Sequence, residues 1–253
     1  MASLNTEGLH PEFHVLDLDN EETIVKLRNL MVEKYGGIDI LVNNAGILFM
    51  GSSTVPFSKQ ATLTLAINYW GTKKVCQILF PILRPGARVV NMSSSAGFLP
   101  RIQVGVKNKV KNYEIVSRLS ADDLTVEELD GYMKNFEETA QTGAHADDGW
   151  PDVYYPLNNS TYIVSKVGLS ALTRIQQRKM AIDPRSDIAI NHVHPGLVDT
   201  DMTGHTGFTY NNVQYNPSSV ERFVISVSSI LSKPFLFQGC RGPRVCCLAA
   251  LWH

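Results

Sequence analysis

The sequence predicts an α/β protein built on a parallel sheet, because short apolar segments of strand length alternate with longer segments of helical periodicity. Four segments have strand length and composition, at residues 13–17, 38–42, 88–92 and 188–193. Between them, apolar residues recur every three or four positions, as is typical of amphipathic helices. Small and polar residues follow three of these strands, and parallel sheets bind ligands beyond the carboxyl ends of their strands.

The first two helices have clear beginnings or ends in the sequence. The first follows residues 13–17 and begins after Asn20, whose side chain can cap a helix N-terminus. Gly36-Gly37 ends this helix and leads into the next strand. The second helix is expected from about residue 58 to 83, where Arg84-Pro85-Gly86 breaks it.

A polar stretch separates the third strand from the last predicted helix. Residues 101–151 are rich in charged side chains, with one helix expected near residues 127–140. A strongly patterned helix is then expected from Tyr162 to about residue 181, followed by the fourth strand.

Composition excludes several classes of protein. The 253 residues include 23 Lys and Arg against 24 Asp and Glu, a balance that argues against an extended nucleic-acid surface or a polybasic membrane surface. No apolar run approaches the roughly 18 residues of a membrane helix, and the N-terminus lacks the pattern of a signal peptide. The four cysteines show neither metal-ligand spacing nor a disulfide framework. These observations predict a cytoplasmic protein with reduced thiols.

Tyr162-Ile-Val-Ser-Lys166 is the most informative segment for chemistry. Positions i and i+4 share one face of a helix, so the phenol and the ammonium project together. A neighbouring cation favours the phenolate, and a phenol tuned in this way can exchange a proton with an alcohol near neutral pH. By itself, however, this spacing often occurs by chance, and an exposed pair on a helix surface is then the more common interpretation.

Three loops at strand ends strengthen the functional interpretation of the Tyr162–Lys166 pair. They are Asn43-Asn-Ala-Gly46, Asn91-Met-Ser-Ser-Ser-Ala-Gly97 and His194-Pro-Gly-Leu-Val-Asp-Thr200. Each of them alone is typical of a turn that ends a strand. Three at successive strand ends, with the Tyr–Lys helix between them, indicate one site at the sheet edge.

With these motifs, and with Asn68-Tyr-Trp-Gly-Thr72, the sequence resembles the short-chain dehydrogenase/reductase family and, within it, the monomeric carbonyl reductases. The resemblance covers about residues 7 to 204, and residues 205–253 form an atypical tail. It implies a Rossmann-like doubly wound parallel sheet, NADPH as cofactor and a small-molecule carbonyl substrate. It also implies a monomer, because the insertion between Ser94 and Tyr162 covers the helix face by which other members oligomerise.

The resemblance also implies a role for particular residues. The family's catalytic tetrad falls on Asn68, Ser94, Tyr162 and Lys166. Ser94 would bind the substrate carbonyl and Tyr162 would deliver the proton. Lys166 would lower the tyrosine pKa and bind the nicotinamide ribose, and Asn68 would hold a water of the proton relay; its other interpretation is a helix residue with a satisfied side chain. The positions that match cofactor contacts, besides Tyr162 and Lys166, are Asp17, Leu18, Asn44, Ala45, Gly46, Pro195, Gly196, Val198, Asp199 and Thr200.

One family element has no counterpart in the sequence. A dinucleotide fold opens with a strand, a glycine-rich turn and a helix whose N-terminus holds the pyrophosphate, and no such element is found. Residues 1–204 are therefore expected to form a truncated core whose sheet is incomplete, without the family's first two strands. Residues 238–251 weakly resemble the start of the family's last helix, and no final strand is expected. The hypothesis is a truncated or alternatively spliced carbonyl reductase, or an imperfect gene model.

Three functions remain open at this point. The first is an NADPH-dependent reductase of ketones, aldehydes or quinones, with Tyr162 as the proton donor. The second is a pseudoenzyme that binds no cofactor and acts, if at all, through partner interactions at exposed sheet edges. The third, an epimerase or dehydratase of the extended branch, is disfavoured by the Pro195-Gly196 loop and by the insertion.

Overall fold

The computed structural model describes residues 12–50, 53–152, 154–155, 158–195 and 245–248. Within them the helices are α1 (Glu21–Tyr35), α2 (Phe57–Leu65), α3 (Thr72–Leu79), α4 (Lys109–Ser120), α5 (Val126–Thr142) and α6 (Ser160–Ala181). The strands are β1 (Ile38–Asn43), β2 (Leu83–Met92), β3 (Tyr154–Tyr155), β4 (Asn158–Asn159), β5 (Ala189–Val193) and β6 (Val245–Leu248). A π-helical turn (Ala66–Gly71) joins α2 to α3, and single turns of 3₁₀-helix follow at Phe80–Ile82, Ser95–Gly97 and Leu99–Gln103.

The main sheet has four parallel strands in the order β5-β2-β1-β6. Asn43 at the end of β1 lies opposite Asn91 in β2, and Met92 lies opposite Val193 in β5. The carboxyl ends of the three strands are therefore level, which brings the first residues of the three predicted loops to one edge. This arrangement confirms the prediction of an incomplete Rossmann-like parallel sheet.

The predicted helices are confirmed, with one interruption and one addition. The helix expected over residues 58–83 is divided by the π-helical turn, which inserts an extra residue into the helical repeat and changes the direction of the side chains around it. Helix α4 was not predicted, because its segment is rich in charged residues. It nevertheless buries Ile115 and Leu119, spaced four residues apart, and is capped by Asn108.

Residues 13–17 were predicted as a strand, and that prediction is wrong. They run without a ladder partner among the described residues, and the side chains of Phe13 and Val15 are 63% and 66% exposed. An apolar run forms a strand only when a neighbour takes up its backbone hydrogen bonds. Here the segment instead leads into the N-terminus of α1, where the hydroxyl of Thr23 donates to the carbonyl oxygen of Asp17 at 3.0 Å.

The resemblance of residues 238–251 to the start of a helix is not confirmed, because Val245–Leu248 forms β6. It pairs in parallel with β1, with Val245 opposite Ile40 and Leu248 opposite Asn43. That resemblance is a local sequence pattern, and it takes no account of the edge of β1. The backbone N–H and C=O groups of this edge need hydrogen-bond partners. A short run beginning with valine can supply them.

Helix α6 is deeply buried over most of its length, and this burial determines the environment of the site. Residues 160–173 are all buried, and α2, α4 and α5 share an apolar cluster with this segment. A second cluster joins α1 and α3 to strands β1, β2 and β5. Among the described residues, no helix combines the length and the apolar character that crossing a membrane requires.

Candidate active site

Tyr162 and Lys166 lie in the first two turns of α6, beside the carboxyl end of β2. Asn159 caps this helix by accepting a hydrogen bond from the backbone N–H of Thr161 at 2.9 Å. The Lys166 Nζ lies 5.6 Å from the centroid of the Tyr162 ring. The i, i+4 spacing therefore brings the two groups together as predicted, but in a buried environment rather than on an exposed helix surface.

The Lys166 ammonium is almost completely withdrawn from solvent. Its residue is 3% exposed, and Nζ donates a hydrogen bond to the backbone carbonyl oxygen of Met92 at 2.7 Å. Burial disfavours the charged form and lowers the pKa of Lys166 to about 8. Since an ammonium has three N–H groups, two remain for other acceptors after the bond to Met92.

Ser94, the last of the polar residues that follow β2 before the 3₁₀ turn, lies close enough to Tyr162 to shift the pKa of its phenol. Burial raises the pKa of Tyr162 above its usual value, and the side chain of Ser94 lowers it by less. The expected lowering of the Tyr162 pKa is therefore not observed, because burial of the phenol outweighs the effect of Ser94. The Ser94 Oγ also accepts from the backbone N–H of Ala96 at 3.2 Å, so its position is fixed by its own turn.

Asn68 lies in the π-helical turn and is fully buried. Its Oδ1 accepts from the N–H of Ile47 at 2.8 Å, and its Nδ2 donates to the Ile47 carbonyl oxygen at 2.9 Å. Nδ2 also donates to the Ser165 Oγ at 3.0 Å. The side chain is thus satisfied by the protein and ties the loop after β1 to α6.

The loop after β1 approaches Lys166 closely at Gly46. A Cβ at this position would lie 3.3 Å from both the Asn68 Oδ1 and the Lys166 Nζ. Because Gly46 has no side chain, the space beside the Lys166 ammonium stays free. The remaining N–H groups of this ammonium suit the hydroxyl groups of a nicotinamide ribose. Asn44 is exposed and Ala45 half-buried in the same loop.

The other predicted cofactor positions fit less completely. Asp17 is exposed, whereas the Leu18 side chain belongs to the core. Pro195 is half-buried at the end of the described segment that follows β5. Gly196, Val198, Asp199 and Thr200 lie outside the described residues.

A pyrophosphate has no evident place in the described part of the chain. No glycine-rich turn there runs from a strand directly into a helix N-terminus. The first turn of α1 carries Glu21 and Glu22, which suit the helix dipole but repel an anion. The N-terminus of α1 therefore does not supply a pyrophosphate site.

Three further groups shape the site and were not predicted from the sequence. They are the carbonyl of Met92, the amide of Ile47 and the hydroxyl of Ser165. The two backbone groups leave no signal in a sequence. Ser165 could have been found from its place beside Lys166, within the predicted motif.

Gly97 allows the turn after β2 to touch α6. A Cβ there would lie 2.3 Å from the Ser93 Oγ and 2.9 Å from the backbone oxygen of Lys166 and the Ser170 Oγ. We expect Gly97→Ala to lower the free energy of unfolding by about 1–3 kcal/mol through overpacking. Gly131→Ala is the control, because a Cβ in α5 meets nothing within 4 Å and should stabilise the helix by about 0.5–1 kcal/mol. Urea denaturation of both variants measures this, and equal effects would contradict the close approach.

The parallel sheet, with Tyr162 and Lys166 buried beside its edge and Ser94 half-buried next to them, defines an α/β protein of the Rossmann-like class. A family model described as short chain dehydrogenase matches residues 1–106. Carbonyl reductase [NADPH] 1 of Rattus norvegicus is 43% identical over 205 residues, which cover 81% of this chain and 69% of that protein. The Homo sapiens protein of the same name is 40% identical with the same coverage. The chain therefore belongs to the short-chain dehydrogenase family.

Solved structures agree with this assignment. Salutaridine reductase from Papaver somniferum matches with a TM-score of 0.65 and 27% identity, over 79% of this chain and 73% of that chain. Menthone neomenthol reductase from Mentha piperita matches with a TM-score of 0.58 and 27% identity, over 71% of this chain and 68% of that chain.

Proposed function

We propose that this chain is an NADPH-dependent carbonyl reductase that converts ketones, aldehydes or quinones to alcohols. The observation that carries the proposal is the buried pair of Tyr162 and Lys166, with Nζ 5.6 Å from the phenol ring and Ser94 beside Tyr162, at the carboxyl ends of β1 and β2. Relatives about 40% identical are named carbonyl reductase [NADPH], which supports the same cofactor and reaction class here.

Ser94 and Tyr162 can act on the same substrate oxygen. Because Ser94 lies close enough to Tyr162 to shift the pKa of its phenol, a carbonyl oxygen bound between the two side chains can accept from both hydroxyl groups. These donors stabilise the negative charge that develops on oxygen during reduction. NADPH, when bound, supplies the hydride.

Tyr162 is the proton donor in this proposal. Burial raises its pKa, so the phenol holds its proton at neutral pH and can deliver it to the alkoxide as the alcohol forms. The Lys166 ammonium beneath the ring stabilises the phenolate that results, and its spare N–H groups bind ribose hydroxyls. Asn68 completes the tetrad by holding the loop that contains Gly46 against Lys166.

A second candidate is a family member that does not bind the cofactor. In the strand order 3-2-1-4-5-6 of a complete fold, β1 of this chain corresponds to strand 4. Its neighbour there is strand 1, which leads into the pyrophosphate turn. Here β6 pairs with that edge of β1. This pairing favours a role without turnover and makes cofactor binding the property to measure first.

NADPH binding discriminates between the two functions. For the reductase we expect enhanced nucleotide fluorescence and a rise in melting temperature on titration with NADPH, together with turnover of a simple quinone. NADH in place of NADPH tests the cofactor preference. Neither enhancement nor stabilisation with either nucleotide would sink the reductase proposal for this chain.

We also propose that the protein is a monomer. Helices α4 and α5 pack over α6 in one apolar cluster, and this supports the view that the insertion covers the helix face used for association. Sedimentation equilibrium tests it. The cytoplasmic location stays a prediction.

A further inference from the structure

Asp130 of α5 bridges two residues of the segment that carries Asn68. Its Oδ1 accepts a hydrogen bond from the Tyr69 hydroxyl at 2.9 Å, and its Oδ2 forms an ion pair with the Lys73 Nζ. The side chains of Asp130 and Lys73 are only 20% and 15% exposed, and Tyr69 is fully buried. We propose that Asp130 is a positioning residue, which holds the π-helical turn so that Asn68 stays in place. This inference rests on the proposed function of Asn68.

The π-helical turn is held from two sides by consecutive side chains. Neighbouring residues of a helix project in different directions. Asn68 reaches the loop after β1 and α6, whereas Tyr69 reaches α5 in the insertion. The Tyr69 ring also packs against α6 at Gly168, where a Cβ would lie 3.3 Å from Tyr69 Cδ2. A shift of Tyr69 would therefore be transmitted directly to the residue before it.

The electrostatic environment favours a permanent contact of Asp130 with Tyr69 and Lys73. Burial and the charge of Asp130 both raise the pKa of Tyr69, so its hydroxyl remains a donor across the working range of pH. The Lys73 ammonium lies 5.5 Å from the centroid of the Trp70 ring, which holds it over the same turn. Removing the carboxylate leaves two donors in a part-buried environment without their acceptor, which strains the turn.

The direct readout is hydrogen exchange at the Ile47 amide, which donates to the Asn68 Oδ1. In Asp130→Ala we expect protection of this amide to fall by about tenfold, with little change in the amides of β2. Asp130→Asn keeps an acceptor for Tyr69 and should restore most of the protection. Glu138→Ala, an exposed carboxylate of the same helix, is the matched control.

The kinetic constants give a second test of the proposal. We expect Asp130→Ala to lower kcat about tenfold with KM nearly unchanged, because a misplaced group affects the reacting geometry more than substrate binding. Unchanged protection at Ile47, or an equal loss of protection throughout the chain, would overturn the proposal. If Asp130→Ala does not fold, Tyr69→Phe removes only the hydroxyl and decides the question by the same exchange measurement. The exchange result does not depend on turnover, so it separates failure of this inference from failure of the reductase proposal.

Discussion

Tyr162→Phe should abolish quinone reduction while the protein still binds NADPH. The substitution removes one hydroxyl and leaves the ring, which lies 5.6 Å from the Lys166 Nζ, in place. Loss of a general acid lowers the rate by about 10²–10⁴-fold. Steady-state kinetics and a nucleotide titration measure the two effects separately.

Tyr113→Phe is the matched control, since Tyr113 is exposed on α4, outside the proposed site, and the same atom is removed. Its kcat and its nucleotide affinity should equal those of the wild type. Full activity of Tyr162→Phe would show that the proton comes from another group. Loss of NADPH binding in that variant would instead place the hydroxyl in the cofactor site.

The fold could be predicted wherever local pattern and tertiary partners agree. Residues 38–42 and 88–92 are apolar and strongly β-favouring, and both lie inside the sheet as β1 and β2. Residues 13–17 have a similar pattern but no ladder partner in the described chain, while Val245–Leu248 has one at the edge of β1. Strand formation depends on that partner, which a local pattern does not contain.

The candidate site was predictable as a set of positions but not as an electrostatic environment. The Tyr162–Lys166 spacing predicts that these two side chains lie together, as they do, and the ends of β1 and β2 lie level as the strand-end motifs require. The direction of the Tyr162 pKa depends on how deeply α6 is buried, and that burial comes from the packing of α2, α4 and α5. Backbone acceptors such as the carbonyl of Met92 carry no side-chain signature at all.

The stability of the protein should depend on pH through Lys166. Burial lowers the pKa of this ammonium from 10.5 to about 8, so between these values the unfolded chain binds the proton more tightly than the folded one. Stability rises with pH wherever the unfolded state binds more protons. The cost of the buried charge is therefore fully present below about pH 8 and disappears as the pH approaches 10.5.

A comparison with Lys166→Met isolates this contribution. As the pH rises from 7.5 to 10.5, the free energy of unfolding of the wild type should gain about 2–3 kcal/mol relative to that of the variant. Lys179→Met, an exposed lysine at the end of the same helix, should show no such relative change. Urea denaturation at several pH values measures these differences in the free energy of unfolding. The other titrating groups contribute equally to the wild type and to each variant, so their contributions cancel. A flat difference for Lys166→Met would mean that the ammonium is solvated in the folded state, and the ribose site proposed around it would then lose its basis.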